Sequence, residues 1–161
     1  MHISLTRGKC AIVDDEDFIR LNQWKWYCLK ERNGFTAART VQTGGSKKRI
    51  LMHREIMRPP DGMQVDHINH DGLDNRRENL RICTNAENQM NTRPRGGTSQ
   101  YIGVCWHKRD KRWSAKIQFC HKSYHLGNYA TEEEAARAYD KAARKLHREF
   151  ATTNFGKKNE A

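Results

Sequence analysis

Alternation of apolar and polar side chains is strictest at Arg112-Trp113-Ser114-Ala115-Lys116-Ile117-Gln118-Phe119, which puts Trp113, Ala115, Ile117 and Phe119 on one strand face and Arg112, Ser114, Lys116 and Gln118 on the other. One face packs and the other is polar and basic. A further short run lies near Ser123 to Tyr129, after which Thr131 and Glu134 form a capping box for a helix extending to about His147. Its inner stripe is Ala135, Ala138, Tyr139, Ala142 and Leu146, small enough to lie close on a sheet, with Glu133–Arg137 and Asp140–Arg144 as i, i+4 surface pairs. The pattern predicts a three-stranded antiparallel sheet backed by one helix.

Upstream, Met1 to about Arg49 carries short β-like runs at Lys9–Val13, Trp24–Leu29 and Gly34–Arg39, read as one small antiparallel sheet, with a short helix over Asp15–Leu21. Gly44-Gly45-Ser46 followed by Lys47-Lys48-Arg49 reads as a basic hairpin loop. A block dense in His, Asp and Asn follows, over about 51–91, before Pro, Gly and Ser at 93–99 interrupt regular structure as a linker. The expected class is α+β, with an N-terminal domain over 1–92, a second domain over 100–156 and a tail at 157–161.

Charge narrows the function. The net charge is +11, and it is uneven: residues 1–92 hold 15 Lys and Arg against 12 Asp and Glu, whereas residues 93–161 hold 15 against 7. Such an excess draws a protein to polyanions through long-range attraction and counterion release, so nucleic acid is the expected partner. No long apolar span or lipidation signal points to a membrane. The five cysteines, at 10, 28, 83, 105 and 120, are odd in number, widely spaced and without a C-x-x-C pair, and no apolar leader follows the N-terminus. That usage fits a reducing cytoplasm and argues against a disulfide scaffold.

The chemistry concentrates in Val65-Asp66-His67-Ile68-Asn69-His70-Asp71-Gly72, then Asp74-Asn75-Arg76-Arg77-Glu78-Asn79-Leu80-Arg81-Ile82-Cys83-Thr84 and Asn85-Ala86-Glu87-Asn88-Gln89. An Asp-His pair ends a short strand, a turn-rich loop follows, Asn79–Ile82 reads as the returning strand, and Thr84 with Glu87 caps a helix. This strand–loop–strand–helix order is expected to bring Asp66 and His67 opposite Asn88. Cutting a phosphodiester needs an activated water and stabilisation of charge on the phosphate and the leaving oxygen. A histidine suits the first task, and a hard divalent cation with one or two protein oxygen ligands suits the others. Asp66 and Asn88 make such a sparse pair. Asp74-Asn75 reads as turn chemistry, and His53 as a packed or phosphate-facing helix residue. A zinc site joining His70 and Cys83 is a weaker alternative, because its spacing is irregular.

Over about His53 to Asn91 the chain resembles the HNH, or ββα-metal, nuclease motif in the variant of phage and intron-encoded homing endonucleases, where the third position is Asn. The resemblance implies that Asp66 is a metal ligand, His67 the general base, Asn79 the Asn that pins the hairpin loop, and Asn88 the completion of the metal site. The implied ion is Mg²⁺, with Mn²⁺ as a substitute. Met52-His53-Arg54-Glu55-Ile56-Met57 also resembles the helix preceding the motif in such proteins.

Ser99 to Phe155 resembles the DNA-binding domain of plant ethylene-response factors, the APETALA-type fold, which also occurs fused to HNH endonucleases. Tyr101, Gly103-Val104, Trp113, Ala115, Ile117, Leu126-Gly127, Tyr129, the run from Glu133 to Asp140, Ala142-Ala143 and Asn154-Phe155 carry the likeness. Where the plant domains present Arg and Trp to DNA, this chain has Ile102, Cys105, His107, Gln118, Ser123 and His125, so the plant target does not transfer. Lys108, Arg109, Lys111, Arg112, Lys116 and Lys122 remain as candidates to meet double-stranded DNA. The reading is a metal-dependent DNA endonuclease, homing or nicking and monomeric. The rivals are a non-cutting DNA-binding regulator and an RNA-binding basic protein.

Overall fold

The computed structural model describes residues 1–31, 34–91, 97–120 and 122–156, in two compact units, Met1–Asn85 and Ala86–Ala161. In the first, β1 (His2–Ser4) and β2 (Cys10–Ile12) pair antiparallel around a tight turn in which Arg7 and Gly8 both have positive φ. Helix α1 (Asp15–Asn22) opens on Asp15, Glu16 and Asp17, negative charges facing the positive end of its dipole. Its C-terminal end is closed by the Trp26 indole, whose Nε1 donates to the Leu21 carbonyl at 2.8 Å. Strands β3 (Tyr27–Glu31), β4 (Gly34–Thr43) and β5 (Ser46–Leu51) then form a sheet in sequence order.

Two sequence expectations change here. The N-terminal strands form two sheets rather than one, because β1, which the apolar pattern did not mark, pairs with β2. Lys47, Lys48 and Arg49 are not a loop: they lie within β5, paired with Gln42, Val41 and Thr40, and only Gly44 and Gly45 turn. Both strands are exposed on this outer part of the ribbon, so no alternation advertises them.

Helix α2 (Met52–Met57) sends Met52 and Ile56, one turn apart, into a core shared with Ile3, Val13, Leu21, Trp26, Ala37, Val65 and Leu80. Val65 and Leu80 belong to β6 (Gln64–His67) and β7 (Leu80–Cys83), an antiparallel pair, so the N-terminal sheets and α2 form the base on which this hairpin stands. The turn between them is tied to β2 as well: Ile12 N donates to Leu73 O at 2.8 Å and Asn75 N donates to Ile12 O at 2.7 Å. Asn79, expected in the returning strand, sits in a 3-10 turn (Arg77–Asn79) just before it.

Arg77 also binds Asp17 through Nε and Nη2 at 2.8 and 3.1 Å, and Arg20 reaches the same carboxylate at 2.6 Å. Burial pushes the Asp17 carboxyl up, but these two guanidinium groups win and hold it below its ordinary 3.8. A carboxylate depressed in the folded state contributes stability that is present above the unfolded value and is lost as pH falls through the folded one. Asp17→Asn should therefore cost about 1–3 kcal/mol of unfolding free energy at neutral pH. The gap to the wild type should narrow as pH falls below the ordinary 3.8 and Asp17 takes up its proton; urea melts at neutral and acid pH measure it.

The boundary between the units falls after the first residue of α3 (Asn85–Met90), and the second unit continues with β8 (Val104–His107), β9 (Arg112–Phe119) and β10 (Lys122–Tyr129), in the spatial order β10-β9-β8, with α4 (Glu132–His147) packed on one face. The capping box of α4 is complete: Glu134 N donates to Thr131 Oγ1 and Thr131 N to Glu134 Oε2, each at 3.2 Å. The inner stripe is rotated from the expected one. Ala135, Ala136, Tyr139, Ala143 and His147 are buried, while Ala138, Ala142 and Leu146 are only half-buried.

Asp140 is buried rather than paired with Arg144 on the surface. It accepts Asn154 N at 2.8 Å, Asn154 Nδ2 at 3.1 Å and Phe155 N at 2.9 Å, while Asn154 Oδ1 accepts Ile102 N at 2.6 Å. A hydrophobic stripe is fixed by all its neighbours, and this C-terminal segment is one that helical periodicity alone does not reveal. Gly103 has φ +74°, and a Cβ there would collide with the Tyr139 ring and lie 2.6 Å from the Lys116 carbonyl. Gly103→Ala should therefore destabilise this unit by about 3 kcal/mol or more, through strain added to overpacking. The matching observation is loss of the unit's cooperative thermal transition.

Candidate active site

Asp66 and His67 end β6, and the ladder sets their partners: Asp66 stands opposite Arg81 and His67 opposite Leu80. Arg81 donates through Nε and Nη2 to Asp66 Oδ2 at 3.0 and 2.7 Å, so the buried carboxylate is anchored by a guanidinium from the neighbouring strand. Arg81 carries no signal of its own in the local sequence pattern. The hairpin register alone would have found it, one pair inward from His67–Leu80.

The loop after His67 is closed by one side chain. Asn79, buried, accepts the Asn69 amide on Oδ1 at 2.9 Å and donates from Nδ2 to the Asp74 carbonyl at 2.7 Å, while Ile68 N donates to Asn79 O at 2.9 Å. Asp74 is buried too, holding Arg76 through two contacts at 2.8 and 2.7 Å and Asn69 Nδ2 at 2.9 Å. Those Arg76 hydrogen bonds, acting against burial, keep its carboxyl below the ordinary value. Asp74-Asn75, read as turn chemistry, is thus the buried floor of the loop.

His67 lies on that floor. Its Nε2 is 3.4 Å from Asn75 Oδ1, and its ring meets the edge of His53 at a centroid distance of 4.9 Å. Burial pushes the His67 imidazole below its ordinary 6.5, opposed by the Asn75 contact and by Asp66, Asp71 and Asp74. The imidazole is therefore neutral at neutral pH and able to take a proton. His53 is a packed side chain of α2, pushed down to about 3 by burial, with His67 and Arg54 adding repulsion.

Cys83 is fully buried and paired with Gln64, at the end of the ladder away from the loop that carries His70, which removes the His70–Cys83 zinc alternative. Among the described residues no three His, Cys, Asp or Glu side chains are grouped to hold a metal. Asn88 lies in α3, in the part of that helix that groups with the second unit.

In that unit Lys108, Arg109 and Lys111 occupy the β8–β9 turn, Arg112 and Lys116 lie on β9, and Lys122 begins β10; all six are exposed. Register places Cys105 beside Ser114, His107 beside Arg112, and Ser123 and His125 beside Gln118 and Lys116, on the sheet face opposite α4. Ser114 departs from the pattern, being buried on the polar face with its hydroxyl 3.4 Å from His125 Nδ1. Ile102 is a core residue and leaves the group that replaces the plant contacts.

Residues 58–90 match the HNH endonuclease family, and residues 99–149 match the AP2 domain. The chain is a fusion of an HNH endonuclease domain with an AP2 domain. It is 27% identical to the uncharacterized HNH endonuclease L560 of Acanthamoeba polyphaga mimivirus, over 92% of this chain and 76% of that protein. APETALA2-like protein 2 of Oryza sativa is 45% identical over 38% of this chain, and AP2-like ethylene-responsive transcription factor At1g16060 of Arabidopsis thaliana 49% over 37%. The matches span only 14% and 18% of those plant proteins. No helix among the described residues is long and apolar enough to cross a membrane.

Proposed function

We propose that this chain is a metal-dependent DNA endonuclease whose AP2 unit holds the duplex while the HNH segment cuts it. The observation that carries this reading is a neutral, loop-clamped His67 adjoining an anchored Asp66 within the HNH-matched segment. His67 takes the proton of the attacking water; the water oxygen bonds to phosphorus as the bond to the leaving oxygen breaks. Asp66 and Asn88 are the proposed oxygen ligands, a donor set that suits Mg²⁺ or Mn²⁺, hard ions that keep several waters. When bound, the ion supplies positive charge to the phosphate and the leaving oxygen.

One such centre per chain fits a monomer that nicks one strand, working in the cytoplasm of a bacterium or phage-infected cell as a site-directed, homing-type enzyme. Supercoiled plasmid tests the reading. Nicked circles should accumulate with Mg²⁺ or Mn²⁺ and not with chelator, and Asp66→Ala should raise the metal concentration required. Binding without nicking under every metal condition would leave a DNA-binding regulator instead.

A further inference from the structure

The base proposed above works only if its ring presents an unprotonated nitrogen to water. Asn75 is fully buried, 0% exposed, at a position no packing argument asks to be polar. Its backbone is fixed from outside the loop, by the 2.7 Å bond from its amide to Ile12 O. Its Oδ1 faces His67 Nε2, while its Nδ2 meets no acceptor among the described residues. Leaving one buried amide group unsatisfied costs about 1–3 kcal/mol, and such groups persist where a site needs them.

We infer that Asn75 is a positioning residue for the nuclease reaction: its carbonyl accepts the Nε2 proton of His67 and thereby fixes the tautomer in which Nδ1 is the bare, proton-accepting nitrogen. A neutral imidazole has one donor and one acceptor nitrogen, so an acceptor at Nε2 puts the lone pair on Nδ1. The His53 edge, 4.9 Å away, limits the ring's rotation. Asn75 touches neither water nor phosphate in this role. It acts through His67, as the groups that orient a ligating or catalytic imidazole generally do.

This inference rests on the reading of His67 as the base, and its test separates the two. Full-length protein labelled with ¹⁵N-histidine reports the tautomer through the ring-nitrogen shifts, with His67→Gln assigning the signal. The wild type should show a protonated Nε2 and a bare Nδ1. Asn75→Leu, similar in size but without an acceptor, should mix the tautomers and lower kcat about 10²-fold, the scale of a misplaced reacting group, with KM for DNA nearly unchanged. Asn75→Asp, which keeps an acceptor, should stay within about tenfold of the wild type and retain the Nε2 proton.

The reverse amide orientation would make Nε2 the acceptor, so a wild-type Nδ1 proton overturns the inference even if neither variant folds. So does an Asn75→Leu protein with wild-type kcat and unchanged ring shifts, or an Asn75→Asp protein as slow as Asn75→Leu. A His67→Ala protein that still cuts removes the parent reading instead, and with it the catalytic part of this one, whatever the ring shifts show.

Discussion

Replacing His67 with Ala should lower plasmid cleavage by about 10²–10⁴-fold, the usual contribution of a positioned general base, while DNA affinity changes little. The asymmetry follows from the site. His67 is a half-buried, neutral imidazole between Asn75 and His53, so it brings no cationic charge to phosphate. The proton it takes moves during the chemical step, after the duplex is held. Single-turnover cleavage and equilibrium binding, measured on the same folded variant, separate the two effects. If cleavage and binding fall together by the same factor, His67 holds DNA and the base lies elsewhere. Asp66→Ala should behave differently, with activity partly restored by more metal, because it removes a ligand and leaves the base in place.

The second large effect is electrostatic. Changing Arg109, Arg112 and Lys116 together to Ala in the full-length chain should weaken DNA binding by about 10²-fold, on the order of 1 kcal/mol for each lost contact. It should also flatten the dependence of log affinity on log salt by about 2–3, since each phosphate neutralised contributes about 0.9 to the slope. These three cations lie in the β8–β9 turn and on β9, exposed, within residues 93–161, which carry +8 of the net +11. Glu133→Gln, exposed on the outer side of α4, is the control and should move neither quantity. Titrations at several salt concentrations decide. An unchanged slope would make the basic strands a solvated surface and move the binding task to other cations.

What was legible in the sequence was whatever one element decides by itself. Strand β9 was readable to the residue because its inward and outward positions alternate, and α4 because Thr131 and Glu134 mark its start. Asp66 and His67 stood out as a dipeptide at a strand end. What was hidden depends on elements distant in the chain. Asn75 looks like half of a turn dipeptide until Ile12, more than sixty residues earlier, binds its amide and buries it. Asp140 reads as an exposed helix acid until the backbone of Asn154 and Phe155 arrives to satisfy it. The strand residues Lys47 to Arg49 gave no signal for a different reason: with both faces in water, nothing constrains the pattern.

Asn154 joins Ile102 on one side and Asp140 on the other, and Phe155 packs against the Tyr101 ring at 5.3 Å. The point where the chain enters the AP2 fold and the point where it leaves are therefore neighbours, tied by the domain's own hydrogen bonds. A module built this way behaves as a cassette: a host chain can accept it at a single exposed position without separating its own flanking segments. That geometry suits a domain found within plant proteins of which it is a small fraction and, here, joined to an HNH segment. It also makes the AP2 unit a natural candidate for circular permutation, with new ends opened in the β8–β9 turn and the old ones joined across the Tyr101–Phe155 contact.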